Sequence, residues 1–198
     1  MENPEAATPA AAPAAAPPSV ATAATAAAGG GVKSQSVQLA NKPSKVEYRG
    51  LKFMIIDRPT EYNLPSYLKE LKESGVTALV RVCEPTYAPD SVNAAGITMY
   101  DYPFDDGTAP PLEVIKGWRK VVKEHGSSGG NRVAIHCVAG LGRAPVMVAI
   151  ALIDKGCDFT EAVKIIRAQR KGAINKRQLD FLRSYKPASG KSSPCCVS

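Results

Sequence analysis

Arg132–Cys137 (RVAIHC) is a short, β-branched apolar run, and Ala144–Ile153 is a longer apolar run of helix-forming residues. A tight turn bearing Gly140 and Gly142 joins them. A buried strand passing straight into a buried helix needs a layer on each side of it, which is the arrangement of an α/β domain. The rest of the chain fits. Val46–Tyr48 and Leu51–Ile56 read as two strands joined at Gly50, and Val76–Cys83 (VTALVRVC) and Ile97–Tyr102 as two more. Helical periodicity lies between and after them. Asn63 caps a helix to about Glu73, and Pro111 opens one carrying Val114, Ile115, Trp118, Val121 and Val122. Thr160 caps another to about Arg170, and Asn175 a last one to about Tyr185. The expected fold is α/β, with a central, mostly parallel sheet flanked by helices. Such sheets bind ligands beyond the carboxyl ends of their strands, and two of these strands end in cysteine.

The expected domain spans 44–187. Residues 1–43 are largely Ala, Pro, Thr and Gly, with prolines too frequent for a helix and nothing to build a core, so they read as a disordered tail. That stretch lacks the basic start and apolar block of a signal peptide and the arginines of a transit peptide. Residues 188–198 read as a flexible tail. The only charges before Lys33 are Glu2 and Glu5, so the net charge of +7 is concentrated in the remainder. That excess suits an anionic partner. Nucleic acid is not expected, because the local group Arg167, Arg170, Lys171, Lys176 and Arg177 lacks interleaved aromatics. Five cysteines at irregular spacing, without a CxxC or His/Cys pattern, predict a reduced intracellular chain, no metal site and no cofactor.

The turn itself carries chemistry. In His136-Cys137-Val138-Ala139-Gly140-Leu141-Gly142-Arg143, a cysteine and an arginine bracket a loop between strand and helix. Backbone N–H groups from Val138 through Gly142 can converge on a dianion at the helix N-terminus. Arg143 can fork two donors onto phosphate oxygens. The same donors favour a thiolate at Cys137, making it the expected nucleophile on a phosphate ester. His136 is expected to hydrogen-bond the loop, and His125 to be solvated. Protonating the leaving oxygen needs an acid, and Asp105 and Asp106, in a turn after a strand, supply two candidates.

Taken together, HCVAGLGRAP (136–145), PFDDG (103–107), VRVCE (80–84), RKGAINKRQ (170–178) and the terminal Cys195-Cys196-Val197-Ser198 resemble the PRL (phosphatase of regenerating liver) family, the prenylated protein tyrosine phosphatases of type IVA. The resemblance implies a compact dual-specificity-type phosphatase fold. It assigns Cys137 as nucleophile, Arg143 as the phosphate-binding arginine and Asp106 as general acid. It gives Cys83 as the cysteine that forms a reversible disulfide with Cys137, and Cys195 as the prenylated cysteine.

There are departures. Tyr102 stands where the family usually has Trp, the N-terminal tail is extra, and Lys186–Ser193 carries only Lys186 and Lys191 where relatives have a denser basic cluster. Ala144 follows the arginine where most cysteine phosphatases have Ser or Thr. Without that hydroxyl, slow release of a phosphocysteine intermediate is expected. Val138 and Leu141 make the loop apolar and less suited to inositol lipids. The expected substrate is a phosphoprotein, on phosphotyrosine and also phosphoserine or phosphothreonine. The alternative is a binding module for CBS-domain magnesium-transport mediators, switched by phosphocysteine or oxidation. The terminal motif fits a farnesyl anchor, placing the protein on the cytosolic face of the plasma membrane or endomembranes with a cytoplasmic pool.

Overall fold

The computed structural model describes Leu39, residues 41–126 and residues 130–187. The expected tails, and with them Cys195, lie almost wholly outside the described residues. Strand β1 (Ser44–Tyr48) folds back on β2 (Leu51–Ile56) as an antiparallel hairpin. Arg49 and Gly50 make that turn with φ of 45° and 85°, the left-handed region in which glycine is unstrained. The chain continues through α1 (Leu64–Glu73), β3 (Val76–Arg81), α2 (Asp90–Ala94), β4 (Thr98–Asp101), α3 (Leu112–His125), β5 (Arg132–His136), α4 (Arg143–Asp154), α5 (Phe159–Gln169) and α6 (Lys176–Ser184). The strands form one sheet in the order β1-β2-β5-β3-β4, and every pairing after the first is parallel.

The period-2 alternation of each strand divides the core. Phe53, Ile55, Val80, Val133 and Ile135 face one side, with Trp118 of α3 and the apolar body of α4. Met54, Ile56, Leu79 and Ala134 face the other, against Leu64, Tyr67 and Leu71 of α1. Strand β5 is buried along its whole length, its apolar centre Val133–Ile135 flanked by the buried Arg132 and His136. Helix α4 is buried from Arg143 to Ile153 because it packs on the sheet, α3, α5 and α6 at once. The sheet order makes β5 the switch point: it inserts between β2 and β3, and a crevice opens at its carboxyl end.

Three expectations need correction, and one short helix is absent from them. Helix α5 starts from Asp158, not Thr160. The Asp158 carboxylate accepts from Thr160 N (2.8 Å) and from the Thr160 hydroxyl, which holds its pKa below the usual carboxylate range. Asn63 stands at the start of α1, but its side chain accepts from Thr60 N (2.7 Å) outside the helix and caps nothing. The short α2 has too little periodicity to be foreseen. His125 is not simply solvated: Nδ1 lies 3.3 Å from Thr77 Oγ1 and Nε2 3.0 Å from Tyr100 OH. Asn175 does cap α6, in a reciprocal box with Gln178.

Candidate active site

Strands β3 and β5 run side by side, with Arg81 opposite His136 and Val82 N donating to His136 O (3.0 Å). Cys137 lies one residue past this ladder and Cys83 two past β3, both buried and both free thiols. The turn from β5 into α4 then delivers Arg143 at the first helical position, where it is buried. Helix dipole and unpaired N–H groups there favour an anion.

The loop between Cys137 and Arg143 is tied from outside. His136 Nδ1 donates to Cys137 O (3.2 Å), Arg58 N to Val138 O (3.0 Å), Arg170 Nη2 to Ala139 O (2.9 Å) and Ile174 N to Leu141 O (2.7 Å). Gly140 is at φ 63°, where glycine is unstrained, and a Cβ there would stand 2.7 Å from Arg170 Nη2 and displace it. At the mouth, Val138 and Leu141 stay about 40% exposed, an apolar rim around a polar cradle.

His136 is fully buried. A carbonyl only accepts, so Nδ1 must carry the proton given to Cys137 O, and Nε2 must accept from Tyr87 OH at 2.6 Å. Burial holds the imidazole pKa down to about 4, so the ring is neutral at pH 7. Cys83 Sγ sits 3.9 Å from the same Nδ1, and burial pushes its thiol up to about 11. Tyr87 is held in turn by Arg81, which donates to Tyr87 O (2.8 Å), lies over its ring and pairs with Asp101 (2.5 Å).

The acid turn comes to the same arginine. Arg143 Nη1 donates to Phe104 O (2.9 Å), and Arg143 Nε lies 3.4 Å from Asp106 Oδ1 and 2% of the residue is exposed. Arg143 Nη1 is also 3.8 Å from Glu84 Oε2. Asp106 Oδ1 accepts from Gly107 N (2.9 Å), whereas Asp105 contributes its backbone carbonyl to Thr108. Of the two carboxylates, then, Asp106 is brought to Arg143. The turn rests on α6: Asn175 Nδ2 donates to Gly107 O (3.3 Å) and Gln178 Nε2 to Thr108 O (3.5 Å). A hollow of about 330 Å³ lined by Asp106, Gly142, Leu141, Asn175 and Gln178 opens there.

Sequence reasoning placed Cys137, Arg143, the loop and Asp106 together, and set Cys83 on the neighbouring strand end. It missed Glu84, Arg170, Ile174, Gln178 and Tyr87. Glu84, Arg170, Ile174 and Gln178 lie inside the motifs VRVCE and RKGAINKRQ, the one signal available for them. Among the described residues, no group of three or more His, Cys, Asp or Glu could hold a metal ion.

Residues 56–157 match the family model "Polymorphic toxin system, DSP-PTPase phosphatase". The chain is 49% identical to a Drosophila melanogaster protein named PRL-1 phosphatase over 162 residues, covering 78% of this chain and 92% of that one. It is 46% identical to Bos taurus protein tyrosine phosphatase type IVA 3, covering 79% and 97%. Among solved structures, a protein tyrosine phosphatase from Leishmania major superposes with a TM-score of 0.66 at 38% identity, covering 74% of this chain and 99% of that one. Kinase-associated phosphatase, at 18% identity, a TM-score of 0.55 and coverage of 75% and 94%, shares the fold. The chain therefore belongs to the PRL, or type IVA, family and is a cysteine-dependent protein tyrosine phosphatase.

Proposed function

We propose that Cys137 Sγ attacks the phosphorus of an aryl phosphate in line with the leaving oxygen, forming an S–P bond as the P–O bond breaks. Loop N–H groups and Arg143 hold the three remaining oxygens. Asp106 gives its proton to the departing oxygen, then takes one from the water that splits the S–P bond, so thiolate and phosphate are regenerated. The observation that supports this most is the position of Arg143, buried between the loop it closes and the turn that carries Asp106. The apolar rim of Val138 and Leu141 favours phosphotyrosine, with phosphoserine and phosphothreonine as poorer substrates. Ala144 is fully buried and has no hydroxyl to give the leaving sulfur, so hydrolysis of phosphocysteine is the slow step. Cys137→Ser should abolish hydrolysis of a small aryl phosphate and keep binding of tungstate. Equal hydrolysis by both proteins would overturn the assignment.

Slow release also supports a second reading, binding of CBS-domain magnesium-transport mediators that ends when Cys137 is phosphorylated. Oxidation is a second switch. Peroxide converts the Cys137 thiolate to a sulfenic acid; Cys83 attacks that sulfur, an S–S bond forms, and the hydroxyl leaves as water with the Cys83 proton. The high thiol pKa of Cys83 makes this step slow at neutral pH. Farnesylation of Cys195, for which the terminal Cys195-Cys196-Val197-Ser198 speaks, would anchor the protein to cytosolic membrane faces.

A further inference from the structure

Arg170 is a buried cation in the segment between α5 and α6, with 8% of its surface exposed. Burying a charge is expensive unless it is paired and hydrogen-bonded. Asp57, just past β2, supplies the pair through Arg170 Nη2, and is itself held by Asn41 Nδ2 (2.5 Å). Ser44 Oγ lies 3.5 Å from Nη1. The same Nη2 also reaches Ala139 O at 2.9 Å, while Nε has no hydrogen-bond partner among the described residues. The guanidinium also lies against Gly140, so close that a Cβ on that residue would stand 2.7 Å from Nη2 and push it aside.

In a trans peptide the carbonyl and the following N–H point in opposite directions. Whatever fixes Ala139 C=O therefore fixes Gly140 N–H. We propose, resting on the phosphatase reading above, that Arg170 is a positioning residue for the phosphate cradle: it draws Ala139 C=O outward so that Gly140 N–H faces the phosphoryl group. Arg58 N on Val138 O and Ile174 N on Leu141 O do the same for the Ala139 and Gly142 amides, so three contacts along the loop act alike. Ile174 is itself in the left-handed region at φ 67°, a conformation unfavourable for a β-branched residue, and there it delivers its N–H to Leu141 O. Of the three, only Arg170 acts through a side chain and can be tested by substitution. A lysine at 170 keeps the charge and can donate to Asp57 and Ala139 O from one nitrogen, but it lacks the planar guanidinium that packs against Gly140.

The test uses the full chain with Arg170→Met and Arg170→Lys. Tungstate affinity is measured calorimetrically in a Cys137→Ser background, and Cys137 alkylation by iodoacetamide at mildly acidic pH in the otherwise native one. Thermal unfolding reports the fold. Arg170→Met should bind tungstate about tenfold more weakly, from one misdirected charge-facing donor, and should slow alkylation. Arg170→Lys should recover part of both. Tungstate binding and alkylation as in the parent would overturn the proposal. If Arg170→Met does not fold, Arg170→Lys decides alone: severalfold weaker binding with an unchanged midpoint supports the tether, and parent-like binding overturns it. Failure of the parent itself to bind tungstate would instead remove the phosphatase reading, and this proposal with it.

Discussion

Four carbonyls of the phosphate loop accept hydrogen bonds at 2.7–3.2 Å, one from the adjoining His136 and three from donors on other segments. The acid turn, by contrast, keeps Asp106 with its side chain 70% exposed, and α6 holds the turn by contacts of 3.3 and 3.5 Å, the long end of hydrogen bonding. The difference follows from the two tasks. A cradle for developing charge works by being fixed before substrate arrives, so that nothing reorganises during the reaction. An acid has to meet leaving oxygens on substrates of different shape, and a lightly held turn on a rigid platform allows that. Both loops meet at Arg143, which is rooted in the most buried of the described helices.

The largest effect should separate the loops by chemistry. Asp106→Ala should slow phosphoenzyme formation by about 10²–10⁴-fold, most for leaving groups of high pKa, while tungstate affinity changes little. Asp105→Ala should be milder in rapid-quench kinetics, and the reverse order would transfer the role to Asp105.

Next in size is the contribution of His136 to the fixed loop. Its pKa is lowered to about 4 when folded and is near 6.5 when unfolded, so the unfolded chain binds more protons between those values. The stability it contributes is therefore complete above about pH 6.5 and is lost as pH falls toward 4, by about 3 kcal/mol. Urea unfolding of wild type and His136→Asn across that range should show the steeper fall in wild type; parallel curves would mean that His136 is not held neutral.

The smallest effect concerns the lightly held turn. Asn175→Ala removes both the α6 cap and the Gly107 contact, and should cost about 1 kcal/mol of stability. Activity toward poor leaving groups should fall more than activity toward good ones, in steady-state comparisons of aryl phosphates. A uniform fall would show that α6 does not serve the acid.

What could be read in advance also differs between regions. Strand β5, the glycine turn and α4 are contiguous, and their burial pattern is written in one uninterrupted stretch of residues. Helix α6 was equally plain, because Asn175 and Gln178 have capping-box spacing. The support of the site was hidden because it is long-range: Arg170 lies 31 residues from Ala139 and Gln178 lies 70 from Thr108. Nothing local distinguishes Arg170 from neighbouring surface cations such as Lys171, and only the fold shows that it is buried. His125 was misjudged for the same reason, since Thr77 and Tyr100 come from other elements. The start of α5 was misplaced because Asp158 and Thr160 are both good capping residues, and the choice rests on backbone geometry.

The central claim is that Cys137 carries the phosphoryl group, and the most direct measurement is intact mass with peptide mapping after rapid acid quench of wild type turning over an aryl phosphate. The account predicts a stoichiometric burst of phenol and a protein heavier by one phosphoryl group on the Cys137 peptide, decaying faster in Ala144→Ser. A burst with no adduct, or an adduct on any other residue, would contradict it.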